Sequence, residues 1–130
     1  MPATLHEEEH VSATDVDTDT RTVIVRFNEA FDRHDVAAVS ALMTDDVVFE
    51  NTSPFPDGER FVGNAAVSAY WQKFFDESPH AHFDAEEMVV MGDRAVVRWR
   101  YSWGTGHVRG IDLFRVRGGK VAEKFAYVKG

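Results

Sequence analysis

Asp112 stands in the run His107-Val-Arg-Gly-Ile-Asp-Leu-Phe-Arg-Val-Arg117, flanked by Ile111, Leu113 and Phe114. A carboxylate inside a run that reads as a buried strand is costly to bury ionised. It must be paired, partly wet, or held protonated for use as an acid or base. That makes Asp112 the first candidate for proton chemistry. His107, five residues earlier at a strand start after Gly106, is a second candidate, because an imidazole titrates near neutral pH and can shuttle protons. Asn51 ends an alternating stretch, Val47-Val-Phe-Glu-Asn51, in which Val47, Phe49 and Asn51 share a face, so it is the polar group expected to point inward from a first strand. Large rings at helical or strand spacing supply candidate walls for a ligand pocket: Tyr70 and Trp71 on a helix, and Trp99, Tyr101 and Trp103 on one face of a strand, with Phe55 as a loop anchor.

Other chemistries have less to work with. The chain contains no cysteine, which removes thiolate nucleophiles, disulfides and Cys-based metal centres. His80 and His82 lie two apart but lack a third ligand at suitable spacing, so no metal is expected. There is no Ser/His/Asp order, phosphate loop or dinucleotide fingerprint, and cofactor-free chemistry is the consistent expectation. With 14 Lys and Arg against 22 Asp and Glu, the formal net charge is -8, which disfavours nucleic acid and anionic membranes as partners. No stretch is long and apolar enough for a membrane helix. The first residues are acidic where a signal peptide would be basic, so a cytoplasmic location is expected.

The elements that would carry these residues can be read from periodicity. Residues 1–17 are rich in Glu, Asp, Thr and Ser and suggest a flexible acidic arm, leaving 18–130 as a single domain. Val23, Ile24, Phe27, Ala30 and Phe31 recur at helical spacing. Asp35 suits the N-cap of a short second helix carrying Val36, Val39, Leu42 and Met43. Asp45-Asp46 breaks that pattern ahead of the first strand. Thr52 to Arg60 is a Pro/Gly-containing loop that could cover a cavity, with Phe55 and Phe61 as its anchors. A third helix opens at Gly63-Asn64 and ends before Pro79. The remainder is β: strands at 82–91 and 94–103 joined by Gly92-Asp93, then turns at Gly104–Gly106 and Gly118-Gly119. Asp84, Glu86 and Glu87 read as exposed charges on a strand edge. On the next strand Val108, Gly110, Asp112, Phe114 and Val116 share one face. Arg109, Ile111, Leu113, Arg115 and Arg117 share the other, a mixed surface that suggests a homodimer contact. The inward face of the last strand stays open between Phe125 with Tyr127 and Ala126 with Val128.

Two helices, a strand, a helix and then several antiparallel strands describe an α+β roll. The runs Phe27–Asn51, Phe61–Val67 and Gly110–Glu123 resemble the nuclear transport factor 2-like superfamily, and within it the SnoaL-like polyketide cyclase and ketosteroid isomerase branch. The resemblance implies a cone-shaped roll, a curved and mostly antiparallel sheet wrapped around three helices, with an apolar pocket at its open end. It places Asp112 at the isomerases' oxyanion-hole acid and near the cyclases' acid/base position, and sets Phe27 and Phe114 among the pocket walls. Asn51 stands where the isomerases carry their proton-abstracting Asp, and Phe27 where they carry an oxyanion Tyr. An amide accepts no proton and a phenyl ring has no hydroxyl, so true steroid isomerisation is not expected. Two functions follow: a cofactor-independent isomerase-, cyclase- or dehydratase-type enzyme on a hydrophobic, oxygenated small molecule, or a non-catalytic ligand-binding or assembly module of the same fold.

Overall fold

In the computed structural model residues 13–130 are described. Helix α1 runs Ala13–Asp32, α2 Val36–Ala41, strand β1 Met43–Glu50, β2 Arg60–Val62, helix α3 Asn64–Glu77, and strands β3 His82–Met91, β4 Arg94–Trp103, β5 Gly106–Arg117 and β6 Lys120–Val128. The six strands form one sheet in the order β2-β1-β6-β5-β4-β3. β1 and β6 are parallel, while every other neighbouring pair is antiparallel. The expected α+β roll is the observed fold, with the helices on the inner face of the sheet.

The buried side of α1 is the predicted one: Val23, Ile24, Phe27, Ala30 and Phe31 are all buried. Phe31 is the hub of the aromatic core, with ring centroids 4.7 Å from Trp71, 5.0 Å from Phe75 and 5.2 Å from Phe83, each edge-on. Such pairs add about 0.5–1.5 kcal/mol beyond their area burial, so this cluster fastens α1, α3 and β3 together. Asp35 caps α2 as expected, its carboxylate accepting the Ala38 N–H at 3.1 Å. Asn64 ties the start of α3 to the α2–β1 junction: it accepts from Ser40 Oγ at 2.7 Å and donates to the Ser40 carbonyl at 3.0 Å.

Three boundaries differ from the sequence reading. Helix α1 begins at Ala13, so the last part of the expected arm is helical, and the rest of that arm lies outside the described residues. The reason is tertiary. Asp17 accepts the Gly92 N–H at 2.6 Å and Thr20 donates to the Gly92 carbonyl at 2.7 Å, pinning the helix to the β3–β4 turn. Met43 opens β1 instead of closing α2, and Asp45 and Asp46 sit within the strand as exposed residues. Phe61 lies in a short strand, β2, paired with Phe49, where a loop had been expected to end at Arg60.

The ends of β3 and β4 match the sequence reading residue for residue. Glu86 and Glu87 are exposed as anticipated but not free, since Arg109 and Arg98 pair with them at 2.9 and 2.8 Å. His80 and His82 are both exposed. No helix among the described residues is long and apolar enough to cross a membrane.

Candidate active site

The inner face of the sheet and helix α3 enclose a cavity of about 250 Å³. Its lining includes Asp112, Asn51, Tyr70, Trp71, Trp99, Tyr101 and Trp103 from the sequence reading, together with Lys124, Ala126 and Val128 from β6. The last strand therefore turns its Ala126/Val128 face inward, and Phe125 and Tyr127 face out.

At this cavity Asp112 is 1% exposed and Lys124 6%. The Lys124 ammonium lies 3.3 Å from Asp112 Oδ2. The contact is ionic but poorly aligned, and neither Asp112 oxygen has a well-formed hydrogen bond. Burial pushes the Asp112 carboxyl above the usual carboxylate range. Lys124 opposes that shift, and the nearby Trp99 indole opposes it weakly without an aligned hydrogen bond of its own. The Lys124 Nζ in turn sits among aromatic faces, 5.0 Å from the centroids of Phe49 and Trp71, 5.4 Å from Phe31 and 5.9 Å from Phe114. An acid and a base held together away from bulk solvent, with spare hydrogen-bonding capacity on the acid, can give or take a proton from a ligand oxygen.

A register device puts the lysine there. At the β5–β6 turn Val116 pairs with Val121, but one residue further along Arg115 pairs with Glu123, so Ala122 is an extra residue in β6. Both Val121 and Ala122 are buried across this bulge. Past it Lys124 faces Phe114 and Ala126 faces Asp112 on the inner side. Without the bulge Phe125 would stand opposite Asp112.

Asn51 and Tyr70 form the second polar group. The Glu59 N–H donates to Asn51 Oδ1 at 2.7 Å, which orients the amide so that Nδ2 donates to the Tyr70 hydroxyl oxygen at 3.2 Å. The Tyr70 proton is left to be donated elsewhere, and burial raises the phenol above its ordinary value, keeping it protonated. Gly58 folds the loop onto Asn51. Its φ is +72°, and a Cβ there would stand 2.1 Å from the Asn51 carbonyl oxygen. Gly110 has a comparable part on β5: a Cβ would meet the Tyr127 carbonyl at 2.2 Å and the Trp99 ring at 2.5 Å, so only glycine lets Trp99 lie against the strand.

Four expected site residues stand elsewhere. Phe27 and Phe114 are fully buried one layer behind the cavity, edge-on to each other at 5.7 Å. Phe55 is 78% exposed on its loop and covers nothing, while its neighbour Thr52 reaches the cavity. His107 is exposed on the outer face, its Nε2 3.4 Å from an Arg109 nitrogen. Period-2 alternation from Asp112 puts an odd-numbered strand residue on the opposite side of the sheet. Lys124 is the site residue that the sequence reading missed. Its signal was the alternative inward face of β6, which carries it together with Ala126 and Val128.

Residues 24–124 match the SnoaL-like domain family. No curated protein matches the chain significantly. Among solved structures, an NTF2-like protein of unknown function from Mesorhizobium loti is 43% identical, with 88% of this chain and 93% of that one covered and a TM-score of 0.79. A candidate ketosteroid isomerase from Kribbella flavida is 19% identical over 88% of this chain and 80% of that one, with a TM-score of 0.76. A candidate polyketide cyclase from Sinorhizobium meliloti is 21% identical over 82% and 94%, with a TM-score of 0.71. The last two share the fold. The family match over most of the chain and the 43% relative together show that the chain belongs to the SnoaL-like domain family of the nuclear transport factor 2-like superfamily.

Proposed function

We propose that the cavity binds a hydrophobic, oxygenated small molecule and that Asp112, balanced by Lys124, performs cofactor-independent acid–base chemistry on it. The observation that carries this reading is a fully buried carboxyl whose two oxygens lack aligned hydrogen bonds, facing an aromatic cavity. A purely structural ion pair would be expected to fill its hydrogen bonds. The cavity is small beside the roughly 300–1,000 Å³ typical of ligand pockets, which favours a compact cyclic molecule. Tyr70 supplies a second donor for a ligand oxygen. Asn51, held by Glu59 and Tyr70, orients and does not take a proton, so the chemistry is unlike steroid isomerisation.

The test is Asp112→Asn. The variant should still fold, at reduced stability because Lys124 loses its ionic partner, and lose at least about tenfold in turnover or ligand affinity across a panel of aromatic ketones and phenols, since one positioned acid contributes typically 10²–10⁴-fold. Unchanged binding and turnover would remove Asp112 from the mechanism. Ligand bound tightly but recovered unaltered would favour the binding-module reading, which the Asn51 position supports.

The outer sheet face is proposed as a homodimer contact. Val89, Val96, Leu113 and Phe125 fall in one row across β3, β4, β5 and β6, beside the exposed Tyr127. Sedimentation of wild type against Leu113→Glu tests this: a wild-type protein that stays monomeric at high concentration ends the proposal.

A further inference from the structure

Lys124 has three N–H donors as an ammonium, and its ionic partner among the described residues is Asp112 alone. The rest of its surroundings are ring faces, which stabilise positive charge but poorly satisfy N–H groups. The site is thus suited to a cation at Nζ that carries fewer hydrogens than an ammonium does. A protonated imine is such a cation: it keeps the charge among the rings and presents a single N–H, for which Asp112 is the acceptor at hand. Lys124 is one of the residues that line the cavity, beside Asp112, so a ligand carbonyl held there is next to this side chain.

We infer that Lys124 is a nucleophilic amine that forms a Schiff base with a small apolar aldehyde or ketone, Asp112 moving the protons. This deepens the proposed function and rests on its reading of Asp112 as the acid–base group of a ligand cavity. The step balances without any further reagent. Lys124 passes a proton to Asp112, and its freed lone pair bonds to the carbonyl carbon. The carbonyl π pair moves to oxygen, which takes the proton from Asp112. The resulting carbinolamine nitrogen gives a second proton to Asp112, which delivers it to the hydroxyl. The C–O bond breaks, water leaves, and the nitrogen lone pair closes the C=N bond. Ammonium and carbonyl have become iminium and water, and Asp112 is a carboxylate before and after. That carboxylate is then placed to remove a proton from the carbon next to the iminium, giving an enamine.

The test uses the full chain with benzaldehyde and with cyclohexanone as probes, trapped by sodium cyanoborohydride and located by peptide mass mapping. Lys73, Lys120 and Lys129 are exposed and lie outside the cavity, so adduct on Lys124, which shares the cavity with Asp112, should exceed that on each of them by at least about tenfold. Mapping the wild-type chain needs no variant to fold. In deuterated water the protein should also speed exchange of the cyclohexanone α-hydrogens, and Lys124→Met should abolish this. Adduct spread evenly over the four lysines, or none, overturns the inference. If probe binding without adduct is still weakened by Asp112→Asn, the acid–base reading stands and only the imine falls. If Lys124 adduct forms equally fast in Asp112→Asn, the imine stands and the acid–base role of Asp112 falls.

Discussion

The two faces of the same sheet carry the same kind of partner, carboxylate and cation, in opposite settings. On the outer face Arg98 and Glu87 approach to 2.8 Å with side chains 56% and 53% exposed. On the inner face Lys124 and Asp112 are farther apart, at 3.3 Å, and only 8% and 1% exposed. The shorter contact is the weaker lever. Water and salt already solvate the outer charges, and such exposed pairs contribute about 0–1 kcal/mol. The inner charges have lost their water and depend on each other, so removing one leaves the other stranded. Distance alone ranks these pairs in the wrong order; solvent access ranks them in the right one.

The sharpest way to test the contrast is Lys124→Met. Leaving a buried carboxylate unpaired should cost about 3–5 kcal/mol at pH 7, read by urea denaturation. The sign of its pH dependence follows from burial. With the ammonium gone, the folded-state pKa of Asp112 rises further above its unfolded value near 3.9, so the deficit opens as pH climbs past that value and closes on acidification. A deficit unchanged between pH 7 and about pH 4 would mean that the carboxyl is not the source. Asp112→Leu combined with Lys124→Met should be less damaging than Lys124→Met alone, because it strands no charge.

Gly110→Ala comes next. Its methyl group would collide with the Tyr127 carbonyl and the Trp99 ring, at an overpacking cost of typically 1–3 kcal/mol, and should shift tryptophan emission as Trp99 moves. Emission and stability both like wild type would show that the strand gives way there. Smallest of all is Arg98→Ala on the outer face, expected to change stability by at most about 1 kcal/mol and by less still in molar salt. A larger loss would erase the distinction between the faces.

What the sequence disclosed divides along similar lines. Asp112 was legible because a charge among Ile111, Leu113 and Phe114 conflicts with its surroundings, and the tryptophans were legible because strand alternation put them on one side. The same alternation, applied from Asp112 to His107, would have sent the histidine outward. Lys124 was not legible for a different reason. Hydrophobicity favours Phe125 and Tyr127 as inward residues, and only an extra residue at Ala122, a tertiary adjustment between β5 and β6, reverses that choice. Phe27 and Phe114 were misplaced in depth, not in direction: both point inward, but rings already in front of them line the cavity.

The Ala122 bulge has a consequence for how such a protein can change. The charge at the bottom of the cavity is chosen by the register of β6 near its turn, outside the cavity itself. If the same residues paired in regular register, with Ala122 taken up into the ladder, Phe125 would face Asp112 and Lys124 would lie on the outer surface. That would exchange a reactive floor for an inert one while the walls from the helices, β4 and β5 stayed the same. Deleting Ala122 would instead straighten the strand and leave Lys124 and Ala126 facing inward. A lineage could gain or lose its chemistry by substitutions that open or close this bulge, and a protein engineer could do the same.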